Sequence, residues 1–384
     1  MDSRRLKLIA LAYYRFKYFL HWLFKRRSLG NAYSYVWATL FSRDAGLALL
    51  DPLYKLFPFI APYPKQIEME ITTACNLKCI ICEHTYWREN PKSMTYEQFL
   101  KVMNQFPKLH WIGMTGIGSS FLNKEYIRML EYLKTQKKTF VEFFDSFYMF
   151  DEKLARRCVE IGIDKIWVSM ESANRDVYNK IRVGADFDTV VKNIENLIKI
   201  KRELKSPIPE IWFHFIINKY NIDEMLDYVN LVKRFTEMEK GFSKPVVYFT
   251  NLLSFDEVSD LKVTVSKEKI AEVEEYCRKN GVLYVFNENV VCDEPMKNCV
   301  KWNEPFILVT GDIQPCCAIN EANVRQYQID NSYMNLLEGD FRKFWRSNKM
   351  KEFIGKIRSG GINDICKYCH IYKHPKILRN NKVK

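Results

Sequence analysis

Along the middle of the chain, short apolar runs alternate with longer stretches whose apolar residues recur every three or four positions. The short runs, at 66–72, 111–115, 140–144, 165–170, 211–217 and 245–250, are rich in β-branched and aromatic residues and predict strands. The longer ones, at 96–104, 124–138, 152–161, 187–203 and 222–235, predict amphipathic helices, with a last helix at 266–280. Six strands separated by five helices predict right-handed crossovers and an α/β fold, a parallel sheet curving toward an open barrel. In such sheets chemistry collects at the C-terminal ends of the strands. After residue 291 the pattern becomes irregular and cysteine-bearing.

The first sixty residues follow a different pattern. On a helix, Leu6, Ile9, Tyr13, Phe16, Leu20 and Leu23 fall on one stripe, and most basic residues fall opposite. Such a helix either lies apolar side down on an anionic membrane surface or docks on the body of the protein. Pro58, Pro62 and Pro64 close this region. Three segments are therefore expected: a helical extension at 1–63, a barrel at 64–290 and a small C-terminal unit at 291–384.

Charge sharpens this division. Lys and Arg outnumber Asp and Glu by 59 to 46, and the excess sits at the ends: residues 1–30 carry eight basic side chains against Asp2, and 367–384 carry six against none. The intervening chain is formally neutral, so no nucleic-acid partner is expected. No charge-free stretch exceeds fifteen residues, short of the ~20 needed to span a bilayer. Arg15 and Lys17 interrupt the first apolar run too early for a signal peptide. Eleven cysteines in a chain this long fit a reducing cytoplasm with metal-bound or free thiols better than a disulfide scaffold.

The predicted first strand runs directly into a loop with Cys75, Cys79 and Cys82 spaced C-x3-C-x2-C. Three thiolates this close can hold three irons of a [4Fe-4S] cube and leave the fourth open for a small molecule. A zinc knuckle would need a fourth ligand, for which His84 is the local candidate. In this loop and its place after the first strand, residues 64–290 resemble the radical S-adenosylmethionine (SAM) enzymes. That resemblance implies a partial (β/α)6 TIM-like barrel, and an open iron that chelates the methionine part of SAM. It also implies reductive cleavage to a 5'-deoxyadenosyl radical that abstracts hydrogen from carbon.

The resemblance also assigns further residues. Ile81 stands where the family often has an aromatic side chain near the adenine. Thr115-Gly116-Ile117-Gly118-Ser119 matches the glycine-rich turn that meets the methionine ammonium, but Ser119 replaces the family's acid. Its hydroxyl accepts a hydrogen bond without the charge, which implies weaker SAM affinity or another carboxylate in its place. Ser169 and Glu171 correspond to the ribose-contacting strand end, and Arg182 to an arginine that meets the SAM carboxylate. Asp145 closes the third strand where the family usually has Thr-Asn-Gly; a general base, a substitute for the missing acid and a turn cap are the open alternatives. His214 reads as a satisfied core histidine, Cys158 and Cys277 as helix core residues.

In the C-terminal part, Cys299-x11-Gly311-x4-Cys316 followed by Cys366-x2-Cys369 resembles the auxiliary-cluster domain called SPASM, with Gly311-Asp312 as its hairpin turn. Cys292 and Cys317 make six cysteines here, one short of the full two-cluster set, so the shortened twitch form with one auxiliary [4Fe-4S] cluster on Cys299, Cys316, Cys366 and Cys369 is implied. A zinc ribbon on the same thiolates is the alternative. The function expected from these resemblances is a cytoplasmic, oxygen-sensitive oxidoreductase fed by a flavodoxin- or ferredoxin-type donor, with the second cluster as electron relay. Its substrate would be a peptide, a small polar molecule or, given the basic start, something lipid-linked. A radical methyltransferase and a SAM- or metal-binding protein without turnover are the other classes.

Overall fold

The computed structural model describes residues 3–41, 63–253, 255–287, 303–317, 325–358 and 363. All six expected strands form: β1 (Gln66–Met69), β2 (Trp111–Met114), β3 (Phe140–Asp145), β4 (Lys165–Ser169), β5 (Glu210–Ile217) and β6 (Val246–Asn251). They pair in parallel in that order, and β7 (Leu283–Phe286), unforeseen in the sequence pattern, adds parallel to β6. The two edges do not meet, so the barrel is partial.

The helices between strands start where local chemistry stops the chain from staying extended. Thr95 and Gln98 form a reciprocal capping box at the start of Tyr96–Asn104. Asp151 caps Glu152–Ile161, which ends at Gly162 with φ +85°, where a β-carbon would also sit 2.7 Å from the Trp22 ring. Asp186 and Ser266 cap Phe187–Glu203 and Lys267–Lys279. Strand residues Ile112, Val141, Phe143, Ile166, Val168, Phe213 and Phe215 pack outward onto these helices in the main core. Their neighbours Phe144, Trp167, Trp212 and Tyr248 line the inner face, so both faces of the sheet are apolar, as a covered parallel sheet requires. Cys158 and Cys277 are fully buried in the main core.

At the C-terminal side the expected hairpin forms, with β8 (Phe306–Ile307) antiparallel to β9 (Asp312–Gln314) and Gly311 at φ +88° in the turn. β8 pairs in parallel with β1, and β10 (Met334–Asn335) extends β9, so the hairpin continues the barrel's own sheet beyond β1. Residue alternation within the chain carried no sign of that junction, because two-residue strands leave no periodicity to read.

Helix α1 (Ser3–Leu20), a π-turn (His21–Lys25) and α2 (Leu29–Val36) dock across the N-terminal ends of the strands. Trp22 Nε1 donates to Asp164 Oδ1 (2.9 Å) just before β4, and Tyr35 Oη donates to Glu210 Oε1 (2.6 Å) at the start of β5. Tyr18, Trp22 and Tyr35 pack with Trp111, Phe140 and Ile208. The face that docks is therefore Tyr18, His21 and Trp22, whereas Tyr13 and Phe16 of the expected stripe face outward and Leu20 and Leu23 are half-buried. The docked rings find polar partners on the barrel floor as well as apolar contact: Trp22 Nε1 donates to Asp164 Oδ1 and the Tyr18 hydroxyl accepts from Lys244 N (3.4 Å), whereas Phe16 has no polar group to place there.

Candidate functional site

The C-terminal ends of the strands converge on the cysteine loop. Cys79 is buried and Cys75 and Cys82 are half-buried, none in a disulfide. The loop is held from two sides. Lys78 N and Ile80 N donate to the carbonyls of Val183 (2.8 Å) and Ile181 (3.0 Å), and Ser119 N donates to Ala74 O (2.7 Å). Gly118 lies so close that a β-carbon there would sit 2.3 Å from Thr72 O and 2.7 Å from Ala74 O. Glycine is required at this position by the approach of two backbones, and the glycine turn and the cysteine loop form one unit. Ile81 is buried beneath the loop with Leu77, Ile181, Leu252 and Phe255.

Arg182, placed by the end of the short helix Arg175–Ile181, donates to both oxygens of Glu171, and its Nη1 lies 3.6 Å from Cys79 Sγ. Glu171 is fully buried, so this bidentate pair is what allows a carboxylate there. Asn221 Nδ2 donates to the Glu171 carbonyl (2.8 Å), fixing its backbone. The two residues assigned separately to ribose and to SAM carboxylate are thus bonded to each other. Ser169 closes β4 half-buried, in register with His214 on β5.

Asp145 sits buried at the end of β3, and its Oδ1 accepts from Phe147 N (2.6 Å) in the manner of a turn cap. Burial pushes its pKa up to about 7, against the opposing pull of that bond and of Arg182. His214 faces the inner side among Phe144, Trp167 and Tyr248, with Nε2 2.8 Å from Thr250 Oγ1. Burial lowers its pKa to about 3, so it is neutral. It is a satisfied histidine on the inner face.

Two groups near the site carried no sequence signal. Glu70, just past β1, is buried; it accepts from Arg325 Nη2 (2.7 Å), Val309 N (3.2 Å) and Ile117 N (3.3 Å). It ties the glycine turn to the C-terminal hairpin and to the helix Arg325–Asp330. Glu83, next to Cys82, is buried as well, and burial with the like charge of Glu70 raises its pKa to about 8. The partners of Glu70 stand on other elements, so no local spacing marks it, and Glu83 is set apart by burial, which spacing does not show.

The donor set tests which metal group fits. No three His, Cys, Asp or Glu side chains among the described residues converge on one ion position, and His84 does not join the cysteines in one. A mononuclear zinc knuckle is therefore disfavoured in this loop, whereas thiols that each meet a different iron of a cubane need not converge. Three thiols on one loop, with the Arg182 guanidinium 3.6 Å from the Cys79 Sγ and the glycine turn bonded to the same loop, fit a three-cysteine iron–sulfur cluster with a chelating ligand. Of the auxiliary set only Cys316, half-buried beside Cys317, lies among the described residues; Cys299, Cys366 and Cys369 lie outside them, as does Cys292.

The Radical SAM superfamily model matches residues 69–232, and the model of the SPASM iron-sulfur cluster-binding domain matches 299–370. Among curated relatives, the tungsten-containing aldehyde ferredoxin oxidoreductase cofactor-modifying protein of Pyrococcus furiosus is 22% identical over 315 residues, covering 78% of this chain and 80% of its own. GTP 3',8-cyclase of Clostridium botulinum is 24% identical over 280 residues, covering 69% and 85%. Among solved structures, Streptococcus suis SuiB bound to S-adenosylmethionine superimposes with a TM-score of 0.62 at 12% identity, over 85% of this chain and 83% of that one. Native anSMEcpe with bound AdoMet and Cp18Cys peptide gives 0.53 at 16% identity, over 80% and 88%.

Proposed function

Because this chain belongs to the radical SAM superfamily and carries a SPASM-type iron–sulfur domain, we propose that it is an oxidoreductase that uses SAM to abstract hydrogen from a peptide or small polar substrate. A SAM-binding [4Fe-4S] cluster and auxiliary iron–sulfur chemistry are the cofactors of that architecture. When bound, the cluster with SAM supplies one-electron cleavage of the C–S bond, giving methionine and a 5'-deoxyadenosyl radical.

In this reading Cys75, Cys79 and Cys82 each hold one iron. The turn from Gly116 to Ser119 receives the methionine ammonium, with the Ser119 hydroxyl as acceptor in place of an acid. Arg182 meets the SAM carboxylate while keeping Glu171 oriented, and Glu171 and Ser169 receive the ribose hydroxyls. Ile81 packs near the adenine. Asp145, its pKa near neutrality, accepts a proton released as the substrate is oxidised. Cys299, Cys316, Cys366 and Cys369 would hold one auxiliary cluster, whose chemistry would be that of an electron relay, and a flavodoxin- or ferredoxin-type protein in the cytoplasm would be the electron donor. Residues 1–63, 64–290 and 291–384 are the extension, the barrel and the auxiliary unit.

The observation that carries this reading is the Arg182 guanidinium, which joins the β4 end through Glu171 to the cysteine loop through Cys79. The test is anaerobic purification and reconstitution, followed by iron and sulfide analysis and by deoxyadenosine formation from SAM under dithionite. About eight irons per chain and deoxyadenosine release are expected for two cubanes. About four irons would return the C-terminal cysteines to a zinc or structural role. A full first cluster without deoxyadenosine would leave a SAM-binding protein that does not turn over.

A further inference from the structure

Helix α1 and the turn after it have two apolar faces. Tyr18, His21 and Trp22 are buried against the barrel floor. Among the described residues the opposite face stands open: Tyr13 is 62% exposed, Phe16 59% and Phe24 69%, and the following helix adds Leu29 at 75% and Tyr33, whose ring also meets His110, at 57%. These five are most of the eight large apolar side chains that stand this exposed among the described residues, and they fall within twenty-one consecutive positions of the chain. A local concentration of this kind marks a contact surface, whereas singly scattered apolar residues need no explanation.

Charge indicates what that surface meets. No acidic residue occurs between Ser3 and Arg43, while the same stretch carries nine basic ones. Three of them anchor the helices to the body: Lys17 donates to Gly241 O, Lys25 to Leu204 O, and Arg26 to the carbonyls of Val159 and Glu160, while Arg15 ties the two helices together through Thr39 O. Arg4, Arg5, Lys7 and Arg27 flank the aromatic stretch at its two ends. Exposed aromatic rings bordered by cations and free of acids are the chemistry of a helix lying in the headgroup layer of an anionic bilayer. No helix among the described residues is long and apolar enough to cross one.

We propose that the N-terminal helices dock this chain peripherally on an anionic bilayer, with Tyr13, Phe16 and Phe24 entering the headgroup layer. The docked geometry fixes an orientation. The helices cover the starts of β2 to β5, through Trp111, Phe140, Asp164 and Glu210, whereas the cysteine loop, Gly118, Asp145 and Glu171 lie at or beyond the strand ends. Strands of four to eight residues separate those two ends by roughly 13 to 26 Å at about 3.3 Å per residue. A bilayer on this face therefore lies at the far end of the barrel from the site. Substrate reaches the site from the aqueous side, and the basic start is a tether with no part in delivering a lipid-embedded substrate. This inference stands apart from the catalytic reading, since docking and turnover are measured separately.

The test is flotation of the full-length protein with vesicles of phosphatidylcholine alone and with vesicles of equal parts phosphatidylcholine and phosphatidylglycerol. Binding to the mixed vesicles, little to phosphatidylcholine alone, and weakening with salt are expected. The triple variant Tyr13→Ser, Phe16→Ser, Phe24→Ser should lower partitioning roughly tenfold or more. The single variant Phe24→Ser, at the most exposed of the three rings, should show a smaller loss and guards against misfolding of the triple. Deoxyadenosine formation should be the same with and without vesicles. No binding to mixed vesicles, or binding that the variants do not change, overturns the proposal. So does a wild-type dimer that the triple variant converts to monomer, since a second copy would then be what covers the rings. Activity that requires vesicles overturns the orientation.

Discussion

The Arg182 guanidinium gives Nε and Nη2, one of its edges, to the two oxygens of Glu171 and turns Nη1 toward Cys79 Sγ, so its removal has two separable effects. Arg182→Met leaves the fully buried Glu171 without its partner, which costs ~3–5 kcal/mol in urea unfolding of the metal-free protein. The double variant with Glu171→Gln should recover a large part of that loss, and a double-mutant cycle with no coupling would show that the pair is not formed. Asp145 gives a second prediction. Its folded pKa of about 7 lies above the ordinary 3.8, so between those values the native chain holds a proton that the unfolded chain has released. Stability contributed by this group is therefore lost as pH rises from about 4 to 7 and stays low above that window. Asn keeps the acceptor for Phe147 N and removes the buried charge. Asp145→Asn should accordingly be more stable than the parent at pH 8, by at most ~4 kcal/mol for a shift of this size, with the difference vanishing toward pH 4. Arg182, Tyr126, Cys158 and Tyr178 are the titratable groups whose fields meet it. Parallel pH profiles for variant and parent would show that Asp145 is ionised in the folded protein at all these values.

The glycine turn and the cysteine loop behave as one element made of two sequence-distant pieces. Gly118→Ala would drive a methyl group into the carbonyls of Thr72 and Ala74, which are backbone and cannot swing away. Expected outcomes are a shifted loop, fewer irons per chain after reconstitution and loss of deoxyadenosine formation, whereas Gly241→Ala, with open space around it but φ +74°, should cost only stability. Equal iron loading in Gly118→Ala and the parent would show that the approach is looser than described. The contrast between this unit and the rest of the chain explains what could be read in advance. Helices such as Glu152–Ile161 and Phe187–Glu203 were legible to the residue, because cap, apolar period and stop all lie within the segment. The three cysteines were legible because their spacing is local. Glu70 was not, because its partners Ile117, Val309 and Arg325 stand 47, 239 and 255 residues away. The outward turn of Tyr13 and Phe16 was not either, because hydropathy ranks a stripe without saying which of two apolar faces finds polar partners on the barrel floor.

At the scale of the molecule, a ring of buried polar contacts joins each end of the chain to the barrel. At the site end, Glu70 and Arg325 clasp the C-terminal hairpin against β1 and the glycine turn. At the opposite end, Asp164 receives Trp22 Nε1, Lys134 Nζ and Val141 N at once, binding the N-terminal helices to β3 and β4. The N-terminal helices thus serve two surfaces, and the two roles separate by residue. Removing residues 1–41 would expose Trp111, Phe140 and Ile208, strip Glu210 of the Tyr35 hydroxyl and leave Asp164 with one donor fewer. Trp22→Ala alone should cost ~3–5 kcal/mol, as for other buried aromatic truncations, and the full deletion should give an aggregating or unfolded chain under conditions where the parent is native. Phe24→Ser, at a side chain 69% exposed, should change stability by no more than about 0.5 kcal/mol. Thermal unfolding of the three proteins distinguishes the cases. A deletion variant as stable as the parent would mean that the barrel floor is complete without these helices, and their docked face would then need a reason other than stability.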